Sequence, residues 1–217
     1  MKLLKEFFIL TRLPFSFISI SIAISGASMA PTLYIDRLVI GILAIFFGLS
    51  VGAHALDNIK GNPLHLSFTQ RQLWLIAITG ISIGWVLGLY LAIISSLWFV
   101  IFMILISFFA VTYNLELLKQ HNPISLSIAF GFLPCLGGYF IMSSTISIPV
   151  MLMALAFAFI CIGGIKVYEA GKPIFKDHIP KEKAGPLAVF ANELIGPLVC
   201  LPVYLIALSL LLSKILS

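Results

Sequence analysis

A cluster of polar side chains interrupts an otherwise apolar part of the chain between residues 54 and 60. Asp57 and Asn58 follow His54 by three and four residues, and Lys60 comes shortly after. This spacing places His54, Asp57 and Asn58 on one face of a helix. A carboxylate at the mouth of a membrane helix is costly to desolvate, and ionisable groups in a membrane are candidate site residues. The cluster is therefore the first candidate functional site, unless Asp57 only ends its helix in interfacial water.

Two further polar clusters follow later apolar runs. The first contains Tyr113 and Lys119, and Lys119 either meets an anionic group at the membrane surface or is an ordinary positive anchor. The second begins at residue 166, and its lysines could hold a phosphate group as point charges, although a solvated loop would have the same composition. The candidate residues in the second cluster are Lys166, Tyr168, Glu169, Lys172 and Asp177.

The composition indicates which elements position these clusters. Of 217 residues, 61% are apolar and only 10% are charged, and the mean hydropathy is +1.15. Soluble domains are about 45–50% apolar and about 25% charged, so the chain is predicted to be an all-α polytopic membrane protein. Its length predicts a single membrane domain over residues 1–217. The spacing of the three cysteines indicates neither a disulfide framework nor a zinc site; they are Cys135, Cys161 and Cys200.

Seven apolar segments are predicted to span the membrane, because each is close to the length of about 20 residues that a bilayer requires. The first exceeds the apolar run of about 7–15 residues found in signal peptides, so we expect it to be retained. Only Ser95 and Ser96 separate the third from the fourth. The segments are 13–30, 38–56, 73–94, 97–114, 124–142, 148–167 and 187–212.

The distribution of positive charge predicts the orientation of these segments. With seven spans and a cytoplasmic amino terminus, only Arg37 and Lys214 of the 13 lysines and arginines lie on the outer side. Such a bias is typical of cytoplasmic loops. We therefore expect a multi-pass protein of the plasma membrane of a prokaryote, with a site that opens toward the cytoplasm.

Several stretches of the chain, covering most of residues 8–180, are similar to the UbiA superfamily of intramembrane prenyltransferases. The most specific one resembles the family's first signature, Asn-Asp-x-x-Asp-x-x-x-Asp, followed by a Lys/Arg-Pro-Leu turn. The others resemble its first and third helices, a Tyr-x-x-x-Leu-Lys segment and the helix after it. In that order, the stretches are AHALDNIKGNPLHLSFTQRQ, LTRLPFSFISISIAISGA, WLIAITGISIGWVLGLYLA, VTYNLELLKQ and IAFGFLPCLGGYF.

The resemblance implies a UbiA-like helical bundle, an activity and a set of site residues. The activity is transfer of an isoprenoid group from a prenyl diphosphate to a lipophilic or aromatic acceptor. The implied cofactor is Mg²⁺, which binds carboxylate and phosphate oxygens, with Asp57 and Asp177 as ligands. Asp57 and His54 are the implied catalytic residues, unless His54 is a buried histidine bonded to a neighbouring helix. The implied substrate-binding residues are Asn58, Lys60, Tyr113, Lys119, Lys166, Tyr168, Glu169 and Lys172.

The chain departs from the family pattern in ways that keep other functions open. Ala53, His54 and Gly61 replace three residues of the first signature, and the second signature has no intact acidic pair. Seven spans are predicted, whereas typical members have nine. The alternatives are a non-catalytic relative that binds an isoprenoid lipid or quinone or stabilises a partner, and a small transporter. The expected partners are a prenyl diphosphate, a lipophilic acceptor and membrane lipid, with no nucleic acid, and the oligomeric state stays open.

Overall fold

The structure is a computed structural model that describes residues 2–59, 64–117, 122–175, 189–190 and 199–216. Within these ranges the chain forms helices joined by short connections, and it has no strand. The all-helical prediction is therefore confirmed for the described residues. The helices are α1 (Lys2–Leu10), α2 (Leu13–Ser28), α3 (Ile35–Ile59), α4 (Gln70–Ile94), α5 (Phe99–Asn114), α6 (Pro123–Ser143), α7 (Ile148–Phe175) and α8 (Leu201–Leu216).

Four of the described helices, α3, α4, α6 and α7, are long and apolar enough to cross a membrane. Helices α2, α5 and α8 are also apolar but have shorter apolar stretches. These lengths support the predicted membrane protein. The predicted break at Ser95 and Ser96 is confirmed, because α4 ends at Ile94 and α5 begins at Phe99. The count of seven spans and the cytoplasmic amino terminus stay predictions.

Local sequence signals begin two of the long helices. At the start of α4, the Thr69 hydroxyl accepts from the Gln72 backbone N–H at 3.3 Å, and the Gln72 side chain accepts from the Thr69 backbone N–H at 2.8 Å. This reciprocal pair is a capping box. At the start of α6, the side-chain oxygen of Asn122 accepts from the Ser125 backbone N–H at 2.9 Å, and Pro123 occupies the first turn, where proline is well tolerated.

Glycines allow the backbones of α3 and α4 to touch. A Cβ atom on Gly80 would lie 2.7 Å from the backbone nitrogen of Gly52, and one on Gly84 would lie 3.0 Å from the Cα atom of Gly48. Side chains larger than hydrogen at these positions would separate the helices. The glycine stripes seen in the sequence therefore form the interface between α3 and α4.

A second close crossing joins α2 to α6. A Cβ atom on Gly26 would lie 1.9 Å from the carbonyl oxygen of Cys135, and one on Gly138 would lie 2.1 Å from the carbonyl oxygen of Ala23. The main buried apolar core surrounds this crossing and includes residues of α7 and α8. Helix α2 is thereby fixed at the centre of the bundle.

Helices α3 and α6 contain π-helical turns, in which each hydrogen bond spans one residue more than in an α-helix. These turns cover Phe46–Ala53 in α3 and Ile128–Phe132 in α6. The first ends directly before His54, where regular α-helix resumes over His54–Ile59. Short π-helical segments are frequent at functional sites, because the wider turn changes the direction of the side chains that follow. The polar cluster at residues 54–58 therefore begins at the irregular part of α3.

Candidate functional site

An ion pair joins the start of α2 to the polar end of α3. The Nη2 atom of Arg12 lies 2.9 Å from the Oδ2 atom of Asp57, and the two side chains are 26% and 22% exposed. Arg12 precedes α2 and has the left-handed backbone conformation, with φ of 42°. This conformation costs a residue other than glycine about 1–2 kcal/mol. Backbone strain of this kind is often found at functional sites, where surrounding contacts maintain it.

His54 is buried behind this ion pair and contacts the same connection. Its side chain is only 5% exposed, and its Nδ1 atom lies 3.0 Å from the carbonyl oxygen of Thr11. Because a carbonyl oxygen only accepts hydrogen bonds, Nδ1 carries the proton in this contact. The Ser16 hydroxyl donates to the same oxygen at 3.1 Å. His54 thus has the geometry of a buried histidine bonded to a neighbouring helix, which is the alternative to a catalytic role.

Asn58 is also buried and is bonded to backbone groups. Its amide nitrogen donates to the carbonyl oxygen of His54 at 2.8 Å, and its side-chain oxygen accepts from the Leu64 backbone N–H at 3.4 Å. The residue is 1% exposed. These contacts give Asn58 a structural role, because they attach the end of α3 to the segment that leads into α4.

Tyr113 connects the first polar cluster to the one on α7. It lies at the end of α5, close enough for electrostatic interaction with Asp57, Arg12, Tyr168 and Glu169. Tyr113 is therefore within electrostatic range of charged groups on both α3 and α7. The two acidic residues among them, Asp57 and Glu169, are more than 100 positions apart in the sequence.

Lys166 and Glu169 form the outer part of this group. The Nζ atom of Lys166 lies 2.9 Å from the Oε2 atom of Glu169, one turn further along α7, and both side chains are at least about half exposed. Exposed pairs of this kind contribute about 0–1 kcal/mol to stability, so the two charges remain available to a ligand. Lys172 lies on the last turns of α7. The predicted site residues Lys60, Lys119 and Asp177 lie outside the described residues.

The side chains present fit one particular mode of Mg²⁺ binding. Among the described residues, no three histidine, cysteine, aspartate or glutamate side chains come together as a metal site. Mg²⁺ is commonly held by one or two carboxylates together with the phosphate oxygens of a substrate. Asp57 is one carboxylate of this kind, and Glu169 is a second within electrostatic range of the same tyrosine. The donors therefore fit an ion bound jointly with a phosphate ligand and do not fit a cage made by the protein alone.

An apolar cavity lies between α2, α3, α4, α5 and α6. It has a volume of about 150 Å³ and is partly open to the surface. Its wall on α3 extends from Leu38 to Leu56, about 25 Å along the helix axis. One polar contact in the wall is a hydrogen bond of 2.9 Å from the indole N–H of Trp85 to the Ser107 hydroxyl. The cavity wall thus ends at the residue before Asp57.

Arg12 is a site residue that sequence reasoning misses. In the sequence its charge serves only as evidence for topology, and its position two residues before Pro14 marks only the start of a helix. One signal for Arg12 is nevertheless available in the sequence. Because consecutive membrane helices run in opposite directions, an arginine at the start of α2 lies at the same membrane depth as the end of α3, where Asp57 lies.

Comparison of the chain with protein-family models, curated proteins and solved structures finds no match.

Proposed function

We propose that the protein is an intramembrane prenyltransferase, which moves an isoprenoid group from a prenyl diphosphate to a lipophilic or aromatic acceptor. The proposal rests on one observation: the lining of the apolar cavity reaches Leu56, the residue before Asp57, whose carboxylate is paired with Arg12. A prenyl diphosphate has the same two parts, an apolar chain joined to a strongly anionic head. The cavity would hold the apolar chain, and the polar cluster that follows Leu56 would hold the anionic head.

The cavity supplies the affinity for the hydrocarbon chain. Its wall is built from aliphatic side chains and glycines, with Trp85 and Ser107 satisfying each other's hydrogen-bonding groups. Burial of each methylene group contributes about 0.8 kcal/mol, so a chain of several isoprene units gains most of its binding energy here. The same wall keeps water away from the first carbon of the chain, where positive charge develops during transfer.

Arg12 receives the diphosphate. A guanidinium group forms paired hydrogen bonds with phosphate oxygens, and it forms them with either Asp57 or the substrate. A diphosphate that binds Arg12 releases Asp57 from the ion pair. Asp57, with Glu169, would then hold Mg²⁺ jointly with the phosphate oxygens, and that ion would supply positive charge to the leaving group. Lys166 lies on the same side as Glu169 and adds a further positive charge.

The transfer itself is a substitution at the first carbon of the chain. The carbon–oxygen bond to the diphosphate breaks, and the bonding electron pair leaves with the diphosphate. A nucleophilic carbon or oxygen of the acceptor then forms the new bond and loses a proton to solvent or to the diphosphate. Arg12 stabilises the leaving charge in place, which is the main way that enzymes accelerate such reactions. His54 acts as a positioning residue, because its hydrogen bond to the Thr11 carbonyl oxygen fixes the connection that carries Arg12. Asn58 positions Asp57 instead, because its hydrogen bonds fix the end of α3.

A second candidate function is favoured by the ion pair. With Asp57 already bound to Arg12, the site also suits a protein that binds an isoprenoid lipid or quinone without reaction. Such a protein uses the cavity in the same way. Unlike the transferase, this lipid-binding protein would need neither a divalent cation nor the charge of Asp57.

We further propose seven membrane spans formed by α2 to α8, with the amino terminus in the cytoplasm. The positions of Arg37 and Lys214 support this orientation, because both lie at the opposite end of the bundle from the ion pair of Arg12 and Asp57. Lys214 donates a hydrogen bond of 2.7 Å to the carbonyl oxygen of Pro31, which follows α2. A prokaryotic plasma membrane is the location that we propose.

Isothermal titration with geranylgeranyl diphosphate tests these proposals. The purified full-length protein is titrated with Mg²⁺ and with EDTA, as wild type and as Asp57→Asn. Asp36→Asn is the matched control, because Asp36 is an exposed acid in the first turn of the same helix. If the protein is a transferase, EDTA or Asp57→Asn weakens binding of the diphosphate at least about ten-fold, a loss of about 1.4 kcal/mol. Asp36→Asn leaves binding of the diphosphate unchanged.

The other outcomes separate the two functions. Binding that is indifferent to EDTA and to Asp57→Asn contradicts the transferase and supports the non-catalytic lipid-binding protein. No binding of the diphosphate under any condition contradicts the transferase and leaves a protein that binds an uncharged isoprenoid lipid or quinone. Formation of a prenylated product from an aromatic acceptor, together with release of diphosphate, would then establish the reaction for the protein that passes the first test.

A further inference from the structure

Helix α1 has an apolar surface that faces away from the rest of the protein. Phe7 and Leu10 pack inward, on a second apolar core formed with α3 and α4. Leu4 and Phe8, one turn apart, point outward and are 63% and 57% exposed. Ile9 is exposed as well. Because residues four apart lie side by side on a helix, Leu4 and Phe8 form a continuous apolar ridge.

The charges of α1 are distributed so that its outer side is basic. The Lys5 side chain is exposed, and Lys2 is one turn before Lys5 and Glu6 in the sequence. The single acidic residue, Glu6, accepts hydrogen bonds from the Ser67 hydroxyl and from the Ser67 backbone N–H, the latter at 2.9 Å. The negative charge of Glu6 is therefore turned toward the protein. An apolar ridge flanked by lysine is the surface that binds an anionic bilayer interface.

The chain connection fixes where α1 can lie. Helix α1 ends at Leu10 and the apolar helix α2 begins at Leu13, so only two residues separate them. The turn between the two helices is made by the left-handed conformation of Arg12. Because α2 enters the membrane at this point, α1 starts at the membrane boundary and cannot move far from it.

We propose that α1 lies in the headgroup layer of an anionic membrane surface, with Leu4 and Phe8 inserted, and that this docking holds Arg12 beside Asp57. The coupling passes through the connection itself. The carbonyl oxygen of Thr11 is bonded to His54 at 3.0 Å, and Arg12 is bonded to Asp57 at 2.9 Å. A change in the direction of α1 must alter these contacts, because the connection has no further residues to absorb it. The inference concerns a surface outside the cavity and does not depend on the transfer reaction.

An environment-sensitive fluorophore on α1 tests the docking. The full-length protein with Phe8→Cys and Cys200→Ser is labelled with nitrobenzoxadiazole, because Cys135 and Cys161 are buried. It is reconstituted in vesicles of phosphatidylcholine, alone or mixed with phosphatidylglycerol. We expect blue-shifted, stronger emission in the anionic vesicles. Lys5→Glu lowers the ratio of docked to undocked helix by at least about five-fold, since each lysine near an anionic surface contributes about that factor.

A matched label controls for general effects of the vesicles. Leu97→Cys places the same fluorophore at another highly exposed leucine, in the connection between α4 and α5. Its emission is expected not to respond to Lys5→Glu. Emission at residue 8 that resembles that of the dye in water in both vesicles, or that ignores Lys5→Glu, would overturn the docking.

Amide hydrogen exchange tests the coupling separately. The backbone N–H groups of Thr11 and Ser16 are hydrogen-bonded, to the carbonyl oxygens of Phe7 and Arg12 respectively. We expect exchange over residues 10–16 to rise several-fold in Lys5→Glu and in neutral vesicles. Unchanged exchange in a variant whose fluorophore has left the membrane would show that docking does not hold Arg12, and would overturn the coupling.

Discussion

The crossing of α2 and α6 should be the part of the fold most sensitive to a single methyl group. The Cβ atom of alanine at position 26 would lie 1.9 Å from the carbonyl oxygen of Cys135, where ordinary contact begins at 3.4 Å. The two backbones must therefore separate by about 1.5 Å, the difference between these distances. The Cβ atom of the new alanine cannot rotate away, and the atom that it meets belongs to the backbone. A local side-chain adjustment therefore cannot relieve the clash.

The free-energy change follows from the looser packing that this separation leaves around the crossing. A gap of even 0.5–1 Å removes about a quarter to a half of the dispersion energy of each facing atom pair. Overpacking of this kind costs about 1–3 kcal/mol or more, so we expect Gly26→Ala to lower the free energy of unfolding by about 3 kcal/mol. Gly163→Ala is the matched control. Among the residues that the structure describes, a Cβ atom at Gly163 has no neighbour within 4 Å, and alanine is the better helix former by up to about 1 kcal/mol.

Reversible unfolding of the purified protein by sodium dodecyl sulfate, followed by circular dichroism, measures the two values. Gly26→Ala should unfold at clearly lower detergent fraction than wild type, and Gly163→Ala at the same or a higher fraction. Combining Gly26→Ala with Gly138→Ala should cost less than the sum of the two, because the helices have already moved apart. Equal stability of Gly26→Ala and Gly163→Ala would refute the close approach of α2 and α6.

Three further predictions concern the cavity, the outer end of the bundle and a buried hydroxyl. Gly137→Leu should abolish binding of long prenyl diphosphates and retain short ones in titration calorimetry, because Gly137 lines the cavity and a Cβ atom there would meet the Phe99 ring at an ordinary contact distance of 3.6 Å; equal affinity for both lengths would place the chain elsewhere. Arg37→Gln should lower the free energy of unfolding by about 2 kcal/mol, because Arg37 donates to the carbonyl oxygens of Ile94 at 2.7 Å and Ile141 at 2.9 Å; an unchanged value would contradict these bonds. Ser50→Ala should raise the free energy of unfolding by about 1 kcal/mol, because the buried Ser50 hydroxyl has no hydrogen-bond partner among the described residues; a loss of stability would indicate a partner.

Much of the fold is predictable because membrane helices leave strong signals in a sequence. Apolar runs of sufficient length predict the long helices, and the serines at 95 and 96 mark the end of α4. The glycines at 48, 52, 80 and 84 predict close packing, since four-residue spacing places them on one face of each helix. The polar cluster at Asp57 is visible for a similar reason, because charge in an apolar background is costly and therefore conspicuous.

The remaining features depend on contacts between distant parts of the chain. Gly26 and Gly138 are not part of a regular glycine stripe, so the crossing of α2 and α6 has no local signal. The pairing of Arg12 with Asp57 depends on how two helices meet, and the buried contact of His54 depends on the turn before α2. The cavity is formed by five helices together, so no single stretch of sequence contains it.

Photo-cross-linking tests most directly whether the cavity holds an isoprenoid chain. A prenyl diphosphate analogue with a diazirine near the end of its chain is irradiated with the full-length protein, and the adducts are located by mass spectrometry. We predict adducts on the cavity side of α4, at Trp85 and Gly88, and their loss with excess unlabelled diphosphate. Adducts on the outward side of the same helix, at Val86 and Ile93, or adducts that unlabelled diphosphate does not displace, would contradict the proposed binding mode.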